Sequence, residues 1–177
     1  MSEDTLSRVK YQNYLLVEGS DDKHVFYHLL DYHHIRQLFK DKGESFEIID
    51  HEGIDNLLSV KTLGTILKEE ESPIVGIWLM PDNKIAGMIE HFISLLRPEN
   101  DVLWPIAENI VQKVVDTDCR FPSTQMAKAY IHTWLAWQKE PGKPMGQAIT
   151  ARYLDADASH ALKLITCIRG LFDLESA

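Results

Sequence analysis

A chain of 177 residues is one domain, or one domain with an appendage, and it can bury roughly 70% of its unfolded surface without a disulfide or metal staple. Its makeup is ordinary at 45% apolar and 25% charged. The formal charge of -9 excludes passive, whole-surface binding to nucleic acid, which needs clustered Lys and Arg, but leaves room for a nuclease whose metal ions offset the repulsion.

Cys119 and Cys167 stand far apart with no metal-ligand spacing, which points to a reducing cytoplasm with inert thiols. The polar N-terminus has no signal-type apolar core. The longest apolar runs fall far short of a membrane span, so no membrane role is expected.

The first element is a short buried strand, Tyr14 to Val17, ending abruptly in Glu18-Gly19. Ser20 or Asp21 can cap the helix that follows, whose stripe is Val25, Phe26, Leu29, Leu30 and His33. Ser45 to Asp50 predicts a second strand. Ile54, Leu57, Leu58, Leu63, Ile66 and Leu67 form another helical stripe. Pro73 opens a third strand candidate, IVGIWLM, which stops at Pro81-Asp82-Asn83. Strand, helix, strand, helix, strand implies parallel pairing with right-handed crossovers.

After Asn83 the pattern is helical. Met88, Ile89, Phe92, Leu95 and Leu96 make one stripe, closed by Pro98. Leu103, Ile106, Ala107, Ile110, Val111 and Val114 make the next, with Pro105 tolerable only in its first turn. Ser123 is expected to cap a helix to about Gln138, with Met126, Ala127, Tyr130, Ile131 and Trp134 on one face. Gly142, Pro144 and Gly146 mark a loop, and two shorter helices finish the chain. The expectation is one α/β domain over 1–177, with a small parallel sheet in a core at 10–83 and a helical layer, 84–177, packed on it.

All three expected strands finish in a carboxylate: Glu18, Asp50 and Asp82. Asp22 sits one turn into the first helix, and Glu90 lies on the helix after the third strand. Carboxylates gathered at one sheet edge raise one another's pKa unless a cation is bound. Oxygen-only sites suit Mg²⁺ or Mn²⁺, and the chemistry they favour is metal-assisted attack at phosphorus.

Simpler roles compete with this one. Asp21 and Asp22 also sit where a helix dipole favours acids, and acids just past strand ends are common turn residues. His24 and His28 have the spacing of a zinc helix, yet no glutamate base or third ligand accompanies them, so they read as surface or half-buried histidines. Asp155 and Asp157 follow a polar helical stretch and read as helix caps. Trp134 and Trp137 could stack bases, but their spacing on a helix is that of core residues.

Three segments together carry a resemblance: LLVEGSDD, GIWLMPDN followed by GMIEHF, and KAYIHTWLAWQKEPGKPMGQAITARYLDA. They resemble an uncharacterised prokaryotic family of TOPRIM-like proteins, a domain of unknown function. That family is distantly similar to the nuclease domains of the overcoming-lysogenization-defect (OLD) group and to topoisomerase and primase TOPRIM domains. The resemblance covers nearly all of the chain except its middle. It implies a TOPRIM-like sheet in which Glu18 is general acid or base and Asp22 is the second acid of a nuclease-type metal motif. Glu90 matches a later metal-supporting glutamate, and Lys128 a catalytic lysine that supports phosphate.

The chain also departs from that pattern. Relatives have a strand ending in Asp-x-Asp before the GIWLMPDN segment, whereas here Leu67-Lys68-Glu69-Glu70-Glu71 runs almost directly into Ile74. Asp82 stands where the metal-binding pair would be. The resemblance therefore implies a relative of Mg-dependent nucleases and nucleotidyl-transfer proteins with an incomplete metal site. Two alternatives stay open. One is an active Mg- or Mn-dependent phosphodiesterase acting on nucleic acid through Glu18, Asp22 and Asp82. The other is a non-catalytic module that binds a protein partner or forms a homo-oligomer.

Overall fold

The computed structural model describes residues 12–50 and 75–174. The expected helical stripe from Ile54 to Leu67 lies outside the described residues. Two strands, β1 (Gln12–Val17) and β2 (Ser45–Asp50), pair in parallel with Val17 opposite Asp50. Val17 and Ile48 are buried, whereas Tyr14 and Leu16 are exposed, so β1 covers the core with one face only. The expectation of a fully buried first strand is thereby corrected.

Helix α1 (Ser20–Tyr32) and helix α2 (Ile35–Asp41) form the crossover between the strands, and both pack on β2. The cap of α1 is Gly19, rather than Ser20 or Asp21. The Asp22 carboxylate accepts the Gly19 N–H at 2.9 Å, satisfying an amide that the first turn leaves without a partner. Val25, Phe26, Leu29 and Leu30 are buried, and His33 is half-buried. His34 turns the chain into α2 through a left-handed conformation at φ 57°.

The third expected strand does not form a ladder among the described residues. Val75 makes an isolated bridge, after which the chain has no regular structure to Leu79 and then turns. The Leu79 amide donates to the Asn83 side chain at 2.6 Å, and its carbonyl accepts the Asn83 N–H at 2.9 Å. Groups that a strand would offer to a neighbour are spent on this turn, while Trp78 and Met80 pack against the core.

Helices α3 (Ile89–Ser94), α4 (Trp104–Asp118) and α5 (Met126–Leu135) follow. The α3 stripe is buried through Ile89, Phe92 and Leu96. Asp101 starts α4 by accepting the Leu103 and Trp104 amides at 2.9 and 2.7 Å, and Pro105 sits in the first turn as expected. Only part of the expected α4 stripe is core: Ala107 and Val111 are buried, but Ile106, Ile110 and Val114 are exposed, in line with Val102 at 74%.

Ser123 does not cap α5. Ser123–Gln125 forms a 3₁₀ turn that leads into Met126. Ile131 and Trp134 are buried there, and the Trp134 indole N–H donates to Asp101 at 2.9 Å.

Helix α6 (Met145–Thr150) begins inside the expected loop, and α7 (Ser159–Leu171) closes the chain. Gly146 lies within α6, where it allows close contact with α1. A Cβ there would stand 2.7 Å from the His24 carbonyl oxygen and 2.6 Å from the His28 ring. The architecture is therefore α/β, a two-stranded parallel sheet with seven α-helices among the described residues, and a continuous apolar core beneath them.

Candidate functional site

Glu18 is the first residue past the carboxyl end of β1, exposed, beside the end of β2 at Asp50. One turn further, the Asp22 carboxyl is pushed up to about 6. Burial is the main cause; the charges of Glu18, Glu90 and Asp21 add to it, against the Gly19 amide that favours the anion. Glu90, second residue of α3, is only 5% exposed. Lys128 reaches in from α5, placing its Nζ 3.8 Å from Glu90 Oε1 and 3.7 Å from Asp21 Oδ2. Strand end, α1, α3 and α5 thus bring Glu18, Asp21, Asp22, Glu90 and Lys128 to one mouth.

Two of the strand-tip acids are used otherwise. Asp50 pairs with Lys23 at 2.9 Å, and that hydrogen bond holds its carboxyl below the usual range. Asp82, expected at the tip of a third strand, sits in a turn. Burial opposes its ionisation, but the Ile85 and Lys84 amides it accepts, at 3.2 and 3.1 Å, outweigh that and hold its carboxyl low. The charges acting on it are Lys84 and His160. The acids acting on Asp22 are Glu18, Glu90 and Asp21.

Mg²⁺ or Mn²⁺ would find the right donor atoms here, since the mouth offers carboxylate oxygens. The arrangement does not fit a metal held by several protein ligands. Among the described residues no three His, Cys, Asp or Glu side chains stand close enough together to hold one ion. An ammonium bridges two of the acids instead.

The remaining candidates have structural partners. His24 Nδ1 lies 3.1 Å from the Ser20 carbonyl, and His28 Nδ1 lies 2.7 Å from Thr150 Oγ1. Trp134 is core, but Trp137 is 37% exposed, against expectation, because it lies just past the end of α5. Asp155 and Asp157 do not cap α7, whose cap residue is Ala158. Asp155 Oδ1 instead accepts the Asp157 amide at 2.9 Å, and the Asp157 carboxylate accepts the Tyr32 hydroxyl.

A family model described as protein of unknown function (DUF3226) matches residues 12–63 and 59–173. The chain belongs to this family. The DUF3226 match falls in two pieces that overlap at residues 59–63, and together they contain every acid of the mouth as well as Lys128. No curated protein and no solved structure matches the chain.

The sequence reading gave Asp21 as a candidate helix cap and a helix-dipole acid, not as a site residue. Its place in the first turn of α1 was readable, but the approach of Lys128 from 107 positions away was not. Arg152 was also missed. It donates to the Tyr32 hydroxyl at 2.7 Å and stacks over that ring at 4.3 Å, fixing the far end of α1.

Proposed function

We propose that this chain is a TOPRIM-like module that keeps the acid mouth of Mg-dependent nucleases and nucleotidyl-transfer proteins without a complete metal site. Its working role is then to bind a partner rather than to cut a phosphodiester. One observation carries the reading: a lysine ammonium spans Asp21 and Glu90 in a mouth where, among the described residues, no three ligands can share one ion. The net charge of -9 supports a protein partner over bare nucleic acid.

A second reading, an active phosphodiesterase, is favoured by Asp22 alone. A carboxyl pushed up to about 6 is poised to exchange a proton near neutral pH. Incubating the protein with labelled single- and double-stranded nucleic acid and Mn²⁺ separates the two. The expected outcome is no cleavage above background. Cleavage by the wild type that disappears in Glu18→Ala would replace the first reading with the second.

A further inference from the structure

The mouth presents a charge problem that the fold has to solve. Glu90 is almost fully buried, and an unpaired carboxylate in that position is strongly unfavourable. Asp21 and Asp22 stand nearby on α1, and Asp22 feels both Asp21 and Glu90. Where acids from separate elements converge, a divalent cation is the usual remedy. Among the described residues, the cation paired with Glu90 and Asp21 is Lys128. Its side chain is 44% exposed, while its Nζ lies within 4 Å of carboxylates on both α1 and α3, so one ammonium links three helices.

We infer that Lys128 is the resident cation of this mouth, standing where a metal ion would otherwise hold α1 and α3 together, so that the fold is metal-independent. Lys128 is on this account a positioning residue for Glu90 and Asp21. A divalent ion and the ammonium exclude each other, because both need the same oxygens and repel at that range. The inference rests on the reading of an incomplete metal site and adds the group that replaces the metal.

Thermal unfolding of the full chain, in EDTA and then in millimolar Mn²⁺, tests it. The wild-type melting temperature is expected to be the same in both. In EDTA, Lys128→Met should melt about 5 °C lower, with Mn²⁺ restoring at least half of the loss. Lys128→Arg should stay near the wild type.

If Lys128→Met folds too poorly to measure, the double variant Lys128→Met with Glu90→Gln decides. It should fold in EDTA and ignore Mn²⁺, because the buried anion is gone. A wild type stabilised by Mn²⁺ as strongly as Lys128→Met would overturn the inference, as would a Lys128→Met variant that melts like the wild type. Failure of the functional reading shows separately, as Glu18-dependent cleavage of nucleic acid, and the melting data stand apart from it.

Discussion

The two ends of α1 answer the same question in opposite ways. At its N-terminal end, the charges of Glu18, Glu90 and Asp21 all act on Asp22, the Lys128 ammonium pairs with Asp21 and Glu90, and Asp22 holds a proton at pH values where a free carboxyl has lost it. At its C-terminal end, about 20 Å away along 13 residues, the side chains of Tyr32, His33 and Arg36 find partners of matching character. Tyr32 donates to Asp157 and accepts from Arg152, whose guanidinium lies on its ring. His33 reaches the Ala156 carbonyl at 2.8 Å, and Arg36 forks onto Asp31 with two bonds of 2.9 Å. A satisfied cluster serves as a joint. An unbalanced one keeps free energy in reserve for a ligand or a proton, and that contrast supports the proposed role of the mouth.

The sharpest way to break this comparison is to lift α1 from its seat. Gly146→Ala should destabilise the chain by about 2–3 kcal/mol, because the new methyl meets the His24 backbone at 2.7 Å and the helices must separate. That outcome opposes the gain of about 1 kcal/mol expected when alanine replaces glycine in a helix, so the sign of a denaturant melt decides whether the contact is as close as described.

A smaller effect, opposite in sign, is expected from Asp22→Asn. The folded carboxyl keeps its proton up to about pH 6, whereas the unfolded one releases it near 3.8, so wild-type stability falls as pH rises through that window. Asparagine can still accept the Gly19 amide. The variant should gain about 1 kcal/mol above pH 6, after allowance for solvent screening, and nothing below about pH 4. Urea unfolding at both pH values reads the difference.

At the joint, Tyr32→Phe should lower the melting temperature by less than Gly146→Ala does, by the same amount at pH 5 and pH 8. The hydrogen bond to Asp157 pushes the phenol up from its ordinary value, so it does not titrate in that range. A pH-dependent loss would place an unbalanced charge at the wrong end of the helix.

The least effect is expected at Gly19. Its φ of -147° is extended backbone, and a Cβ there would have only the Asp22 carboxylate, 3.8 Å away, within contact distance. Gly19→Ser should therefore change stability by less than about 0.5 kcal/mol, measured by the same melts.

That last point bears on what could be read from sequence. The Val17-Glu18-Gly19 corner was legible because an apolar run stopping at an acid and followed by a helical stripe has few alternatives. The glycine that drew attention to it is not required by the backbone. Parallel pairing of β1 with β2 was legible from the crossover between them. The third strand was not, because IVGIWLM has strand composition and its fate depends on Asn83 capturing the Leu79 backbone. The mouth was half legible. Glu18 and Asp22 are neighbours in sequence, Glu90 was a candidate acid from its place on the next helix, and the resemblance supplied Lys128, but Asp21 belongs to it only through a contact between distant helices. Asp82 went astray for the same reason as the strand that was to present it. The α4 stripe misled because periodicity locates an apolar face without saying whether anything packs against it.

Val102, just before α4, and Ile106, Ile110 and Val114 on it leave four aliphatic side chains exposed to water. Four aliphatic side chains favour sticking, while a charge of -9 keeps neighbours apart over a range that shrinks from about 30 Å in dilute buffer to about 3 Å at molar salt. The expected outcome is dispersal at low ionic strength and clustering in brine, which light scattering across a salt series would check.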